Sequence, residues 1–220
     1  MMIGQLKPNY VYILNQYLRA VEQRNSVLKK IKLGDYSEEM LDIWDDRLLE
    51  YGDKIYQYRK LFIEKINNII NEYHQKITEG KEFIKIEYKS DLENKEDYIK
   101  KIKDNRNNDI FRGITSRGTH RDDLLFYIND ELVSTYGSQG QHRTVILSLK
   151  LSELSVIKEE IEENPILLLD DFMSELDSKR RNNFLKYIED TQVIITCTDK
   201  INNDNINKLY YVEDGTIKNT

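Results

Sequence analysis

The feature that most constrains this sequence is an apolar stripe that runs from Leu41 to Ile77. Apolar and aromatic residues recur along it every three or four positions, the spacing that places side chains on one face of an α-helix. The intervening members are Trp44, Leu48, Tyr51, Ile55, Tyr58, Phe62, Ile66, Ile69 and Tyr73. One helix of this length, rising about 1.5 Å per residue, spans roughly 55–60 Å. We therefore expect a single long helix that projects as an arm.

A second stripe predicts a partner for this helix. It consists of Tyr10, Leu14, Tyr17, Val21 and Leu28, again at helical spacing. Residues 34–37 favour a turn between the two helices, because they include glycine, aspartate and serine. We expect an antiparallel helical arm over residues 1–80. The alternative use of the same stripe is a coiled-coil seam between two subunits.

Beyond residue 80 the pattern changes from helical to mixed. Alternating apolar and polar residues at 83–88 predict a strand, and a polar helix is expected around residues 91–107. Asn129 and Asp130 separate two further apolar runs, which predicts a β-hairpin.

The last third of the chain predicts helix, strand, helix, strand and a short hairpin at Asp214-Gly215. Residues 166–169 are apolar without interruption, as in a strand buried on both faces of a parallel sheet. The fold class is therefore α/β, with residues 81–220 forming a second domain.

Composition restricts the cellular setting. The chain has 220 residues, of which 39% are hydrophobic and 33% are charged, and its one cysteine is Cys197. It shows neither a signal pattern nor a twenty-residue apolar run, so we expect a cytoplasmic protein without a membrane span. A net charge of -6 argues against extensive wrapping of nucleic acid. Basic clusters at 100–106 and 179–181 are either solvated helix faces or local DNA contacts.

A glycine-containing loop, Gly137-Ser138-Gln139-Gly140-Gln141, precedes a helical pattern. Its glycines permit close approach of the backbone to a ligand, and the helix start favours an anion such as a phosphate. The alternative is local, because Ser138 and Gln141 have the spacing of a capping box. A lysine-bearing phosphate loop is not evident. Gly80-Lys81 lacks the other residues that such a loop requires.

Two aspartates, Asp170 and Asp171, follow the apolar run at 166–169. The carboxyl end of a buried strand is where α/β proteins bind ligands, and carboxylates there can hold Mg²⁺. Asp170 would hold the metal, and Asp171 would orient and deprotonate an attacking water. Ser174 and Asp177 have the spacing of a helix cap. The alternative is that the aspartates simply occupy a turn between strand and helix.

These segments together resemble a known family. The order of loop, helix, strand with two acids, helix and strand is similar to the C-terminal half of an ABC-type ATPase. GSQGQHRT, LSLKLSEL, ILLLDDFMSELD and GTHRDDL resemble the RecF family of bacterial DNA-repair ATPases, including its Asp-Asp pair. Gln23-Arg24-Asn25 and the helix around Trp44 are also similar to RecF, so the resemblance covers nearly the whole chain.

The resemblance implies roles for the loop and the acids. Ser138, Gln139, Gly140 and Gln141 would be a signature motif that binds ATP held by the phosphate loop of another subunit. Asp170 would be the Walker B ligand of Mg²⁺ and Asp171 the catalytic carboxylate, while Ser174 and Asp177 would form the D-loop. The family's own phosphate loop, Walker A, would precede this chain. We therefore expect negligible ATP hydrolysis from the chain alone.

The resemblance also implies a function for the complete protein. It would be an ATP-dependent homodimer that binds DNA at single-strand gaps and single-strand/double-strand junctions. Recombination mediator proteins would be its partners in DNA replication, recombination, repair and the SOS response. Two alternatives stay open: a non-catalytic module that recruits repair partners, and a fragment of another SMC-like ABC ATPase. An ABC transporter subunit fits less well, because the long arm has a polar face.

Some positions depart from the family pattern. Thr119 stands where the family usually has proline, and no histidine follows Ile195, where many ABC proteins place a switch residue. Thr196 or Thr198 would substitute for it. His120, Arg121 and Asp122 match the family's His-Arg-Asp run, but the sequence assigns them no role.

Overall fold

The computed structural model of the chain divides into two compact units, residues 1–163 and 164–220, and each is described by itself. The described residues are 2–161, 164–170, 178–188, 191–198 and 208–219. No helix within these ranges could cross a membrane, since none is both long and apolar enough.

The first unit combines helices with a small antiparallel sheet. Its helices are α1 (Met2–Leu6), α2 (Pro8–Lys32), α3 (Met40–Thr78), α4 (Lys95–Asp104), α5 (Arg106–Arg112), α6 (Val133–Tyr136) and α7 (Gln139–Ile161). Its strands are β1 (Ile84–Lys89), β2 (Asp123–Ile128) and β3 (Glu131–Leu132), in the order β1-β2-β3. Short 3-10 turns cover Asp91–Glu93 and Thr119–Arg121.

Helices α2 and α3 form the antiparallel hairpin that the sequence predicts. Tyr10 near the start of α2 bonds to Arg59, whereas Arg24 near its end bonds to Asp45, so the two helices run in opposite directions. Their facing residues form one core of buried side chains: Tyr10, Ile13, Tyr17, Ala20, Leu48, Ile55 and Tyr56. The turn begins at Gly34, whose φ of 82° is a left-handed conformation that glycine adopts readily.

The second half of α3 packs against the sheet and α7. Ile66 and Ile70 of α3 share a core with Ile84 and Ile86 of β1 and with Val145 of α7. The boundary that the sequence predicts near residue 80 therefore falls inside the first unit, where α3 and β1 bury their apolar faces together.

The polar segment after β1 differs from the single helix that we expected. Asn94 caps α4, because its side-chain oxygen accepts from the backbone N–H groups of Glu96 and Asp97 at 3.0 and 3.1 Å. The helix then ends at Asp104, and α5 begins at Arg106 after a break at Asn105. Side-chain capping by Asn94 thus separates the 3-10 turn from α4, and the break at Asn105 separates α4 from α5.

The second unit contains a parallel strand pair and a hairpin. Strand β4 (Leu167–Leu169) pairs with β5 (Val193–Ile195), helix α8 spans Ser178–Lys186, and β6 (Tyr210–Glu213) pairs with β7 (Thr216–Asn219). The predicted parallel strands and terminal hairpin are confirmed. Burial on both faces is not, because Leu169 is buried while Leu168 is 69% exposed. Alternate side chains of a strand point to opposite faces, and only one face of β4 is covered here.

A buried ion network connects α2, α3 and α5. Arg24 is fully buried; its Nε donates to Asp45 and its Nη1 to Asp109, both at 2.7 Å. Nη1 also donates to the Thr115 hydroxyl at 3.1 Å. Arg106 pairs with the other oxygen of Asp45. The network explains Arg24 structurally: one guanidinium joins three segments that are distant in sequence.

We predict that Arg24→Met lowers the free energy of unfolding by about 3–5 kcal/mol, because it leaves the buried carboxylate of Asp109 without its cation, whereas Asp45 keeps Arg106. Urea unfolding measures the change. The control is Arg47→Met, which removes an exposed arginine paired with Glu50 and should cost no more than about 1 kcal/mol. Equal losses of unfolding free energy in the two variants would show that the buried network stabilises the fold no more than an exposed ion pair does.

Candidate nucleotide site

The glycine-containing loop lies at the start of α7, where the sequence predicts it. The backbone N–H of Ser138 donates to Oε1 of Gln141 at 2.9 Å, and the N–H of Gln141 donates to Oγ of Ser138 at 3.2 Å. This reciprocal pair is a capping box, so the local alternative is confirmed. Ser138 and Gln139 are nevertheless exposed. A cap at the start of a 23-residue helix thus also presents polar groups to solvent.

Glycine is required at position 137 because a side chain would not fit there, and not because the backbone has a positive φ. A Cβ at this position would lie 2.5 Å from the Val133 carbonyl oxygen and 2.8 Å from the Val133 side chain. The N–H of Gly137 bonds to the same carbonyl at 2.9 Å. Beside it, a shallow depression of about 190 Å³ is lined in part by Tyr136, Gly137 and Gln141. Glycine therefore lets the chain leave α6 and begin α7 with only Gly137 and Ser138 between the two helices.

Two residues that the sequence analysis did not select support this loop. Gln141 Nε2 donates to Glu82 at 3.1 Å, and the other oxygen of Glu82 lies 3.2 Å from Nε2 of His74. His74 of α3 is fully buried, and it contacts Ser148 of α7. No local signal could have identified them, because Glu82 and Gln141 are separated by 59 positions.

In the second unit, Asp170 directly follows β4. It is exposed, and its Oδ1 accepts a hydrogen bond of 2.5 Å from the hydroxyl of Thr196, which follows β5. The N–H of Thr196 donates to the carbonyl of Leu169 at 2.9 Å. The two parallel strands therefore bring an acid and a hydroxyl together at their carboxyl ends. Thr198, the other candidate for the missing switch residue, is exposed.

The remaining predicted site residues, Asp171, Ser174 and Asp177, lie outside the described residues. Within the described ranges no group of three or more His, Cys, Asp or Glu side chains could hold a metal ion. Asp170 still fits Mg²⁺, which proteins commonly hold with one or two carboxylates, waters and substrate phosphates. The exposed carboxylate of Asp170 offers such an oxygen.

The His-Arg-Asp run lies mostly in the interior of the first unit. Oδ2 of Asp122 accepts from Arg59 at 2.8 Å and from the Tyr88 hydroxyl at 2.5 Å. Burial raises the pKa of Asp122, and these hydrogen bonds oppose that rise. Arg121 is exposed. Asp122 thus connects α3 to β1.

His120 has a defined tautomer. Its Nε2 faces the carbonyl oxygen of Thr115 at 3.0 Å and must donate to it. Its Nδ1 therefore accepts from the Tyr17 hydroxyl at 2.9 Å. Burial lowers the pKa of His120 and raises the pKa of Tyr17 to about 12, so both groups are kept neutral. Gly118 makes this possible, because a Cβ there would lie 2.3 Å from the Tyr17 oxygen.

Comparison with known proteins identifies the family. No protein-family model matched the sequence. The DNA replication and repair protein RecF of Lachnospira eligens is 46% identical over 225 residues, covering 100% of this chain and 62% of the relative. RecF of Clostridium beijerinckii is 42% identical, covering 100% of the chain and 61% of the relative. The chain belongs to the RecF family. It spans about 60% of the length of the curated RecF proteins it matches.

Solved RecF structures extend the similarity to the fold. A structure of the recombination mediator protein RecF with ATPrS, from the RecFOR pathway, superposes with a TM-score of 0.85 at 33% identity. It covers 99% of this chain and 60% of that RecF chain. A RecF-ATP structure gives 0.86 at 35% identity, with coverages of 100% and 60%. The predicted α/β fold with a long helical arm is thereby confirmed as a RecF fold.

The neutral state of His120 gives a pH-dependent prediction. Because its pKa is lowered on folding, protonation favours the unfolded chain. The contribution of the neutral ring to stability is complete above about 6.5, the pKa of histidine in the unfolded chain. It is lost as the pH falls towards the lower pKa of His120 in the folded chain. We expect the free energy of unfolding to fall below pH 6.5, by at most about 1.4 kcal/mol per pH unit from this group.

The comparison variant is His120→Gln, which has no titrating ring. Unfolding by urea at several pH values should show that the advantage of the parent over this variant shrinks as the pH drops from 8 to 5. An advantage that stays constant over that interval would contradict a neutral, buried His120.

Proposed function

We propose that this chain is part of a RecF-type, ATP-dependent DNA-repair protein and supplies the signature motif and Walker B acids of a dimeric ATP site. The observation that carries the proposal is the exposed loop at the start of α7. Ser138 and Gln139 face solvent there, although capping already satisfies the local backbone. The RecF relatives that match in fold are described with ATP and ATPrS.

The loop acts in trans in this proposal. The positive end of a long helix favours a nucleotide phosphate, and Ser138, Gln139, Gly140 and Gln141 would contact it. The phosphate loop that holds the same nucleotide belongs to the opposite subunit. It would come from the part of the relatives' length that this chain does not span. Leu168 on β4 and Ile194 on β5 are exposed apolar residues, which fits a sheet whose open face is covered by another part of the complete protein.

The two acids would have different roles, Asp170 in metal binding and Asp171 in hydrolysis. Asp170 would hold Mg²⁺ beside the phosphates, where the ion neutralises negative charge. Asp171 would orient the attacking water and accept its proton. Ser174 and Asp177 would line the subunit interface as the D-loop. Thr196 is the better substitute for the switch histidine, because its hydroxyl already bonds to Asp170.

DNA is the proposed polymer substrate, at single-strand gaps and single-strand/double-strand junctions. Lys100, Lys101 and Lys103 are exposed on α4 and can contact phosphates. Arg106, which the sequence groups with them, instead pairs with Asp42 and Asp45. The related structures belong to the RecFOR pathway, which supports recombination mediators as partners of a homodimer.

A non-catalytic recruiting module is a second candidate. One observation favours it: Leu33 and Phe111 are 76% and 73% exposed. They lie near one another, since Lys32 donates to the Phe111 carbonyl. ATP binding by a complete protein would favour the first candidate, and its absence the second.

We predict that substitutions of Asp170 and Asp171 impair different properties, nucleotide binding in one case and hydrolysis in the other. The test protein is a chimera in which the preceding segment of the Lachnospira eligens relative is joined to this chain. Asp171→Asn should retain ATP binding but lose hydrolysis, whereas Asp170→Ala should weaken binding of Mg²⁺-ATP itself. Calorimetry measures binding and phosphate release measures hydrolysis. An equal loss of nucleotide affinity in both variants would refute the assigned roles.

Variants of Ser138 distinguish its role as a helix cap from its proposed contact at the subunit interface. Ser138→Ala removes the cap and should cost about 0.5–2 kcal/mol of stability. Ser138→Arg in the chimera should give a folded monomer that still binds ATP through its own phosphate loop, because the bulky side chain enters the subunit interface.

Light scattering with and without ATP measures the association. Ser134→Arg, an exposed serine four residues earlier on α6, is the matched control and should associate as the parent does. ATP-driven association of Ser138→Arg at the parental level would leave Ser138 as a helix cap only.

A further inference from the structure

A series of polar contacts leads from the signature loop into the interior of the first unit. Gln141 Nε2 donates to Oε1 of Glu82 at 3.1 Å, and Oε2 of Glu82 lies 3.2 Å from Nε2 of His74. His74 Nδ1 in turn lies 2.9 Å from Oγ of Ser148, back on α7. The side chain of His74 is 0% exposed and that of Glu82 is 18% exposed. The loop is thus connected to α3 through groups that water reaches poorly.

His74 also contacts α7. Its Nδ1 lies 2.9 Å from Oγ of Ser148, and the Ser148 hydroxyl lies 2.8 Å from the carbonyl oxygen of Thr144, one turn earlier on the same helix. The buried ring of His74 therefore holds Glu82 in a fixed place between α3 and α7.

Glu82 fixes the orientation of the Gln141 amide. In the observed orientation, Oε1 of Gln141 accepts from the Ser138 N–H while Nε2 donates to Glu82. A flipped amide would direct its oxygen at the carboxylate, which has no proton to donate. Glu82 therefore selects the one amide orientation that closes the capping box around Ser138.

We propose that the His74–Glu82 pair positions the signature loop for its contact with a nucleotide phosphate. The pair holds Gln141, and Gln141 holds Ser138 in the arrangement that faces the opposite subunit. His74 and Glu82 act through Gln141 and are positioning residues. A buried polar series of this kind imposes one geometry on the groups that it connects. The inference rests on the proposed function, because the loop's phosphate contact belongs to that proposal.

The first test uses this chain without nucleotide. Glu82→Ala should speed hydrogen exchange at the Ser138 and Gln141 amides by about tenfold or more, as expected for loss of a charge-assisted hydrogen bond. Glu82→Gln should stay near the parent, since its amide oxygen can still accept from Gln141. Glu72→Ala removes the same charge from an exposed site on α3 and is the control. Unchanged exchange in Glu82→Ala overturns the positioning role.

The second test measures association of the chimera with ATP. Glu82→Ala should weaken ATP-driven association by about tenfold or more, in line with the loss of one charge-assisted hydrogen bond. The ATP affinity of each subunit should be unchanged. Glu82→Gln should restore most of the association, and Glu72→Ala should match the parent. If Glu82→Ala does not fold, Glu82→Asp replaces it, because it keeps the charge but withdraws from Gln141.

The outcomes separate the two proposals. If the parent chimera does not associate with ATP, the proposed function fails, and hydrogen exchange alone decides whether Glu82 positions the loop. If the parent and Glu82→Ala associate equally, the positioning role fails and the proposed function stands.

Discussion

Burial of the stripe on α3 is the interaction on which the rest of the first unit depends. The first half of the helix packs against α2, around Leu48 and Ile55, and the second half packs against β1 and α7, around Ile66 and Ile70. A helix of 39 residues cannot be stable alone in water with such a stripe exposed. Because both halves are covered by different partners, the position of α3 sets the position of α7, whose first turn contains the candidate nucleotide loop.

In the function that we propose, the same residues of the loop have a structural role and a nucleotide-binding role. Ser138 and Gln141 satisfy the first turn of α7, as a capping box does in any helix. The same bonds fix the direction in which the helix start faces solvent, and free backbone N–H groups at such a start attract anions. A cap in this place is therefore compatible with the nucleotide contact that we propose.

The second unit contributes a simpler arrangement. Parallel pairing of β4 and β5 places Asp170 beside Thr196, because equivalent ends of parallel strands meet at one edge. The sequence predicted the acid at this edge and offered Thr196 and Thr198 equally as neighbours. The register of the two strands, which aligns Leu169 with Ile195, places Thr196 next to the acid.

The sequence by itself determined the long helices, the hairpins, the loop before α7 and the RecF family, because periodicity and short motifs are local properties of a chain. It could not separate α4 from α5, where capping at Asn94 and a break at Asn105 decide. Nor could it predict that Arg24 binds Asp109, that His120 accepts from Tyr17, or that Glu82 supports Gln141. Those pairs are 59 to 103 positions apart. Only the tertiary structure decided them, because a buried charge or polar group needs a partner that packing, and not sequence proximity, brings within reach.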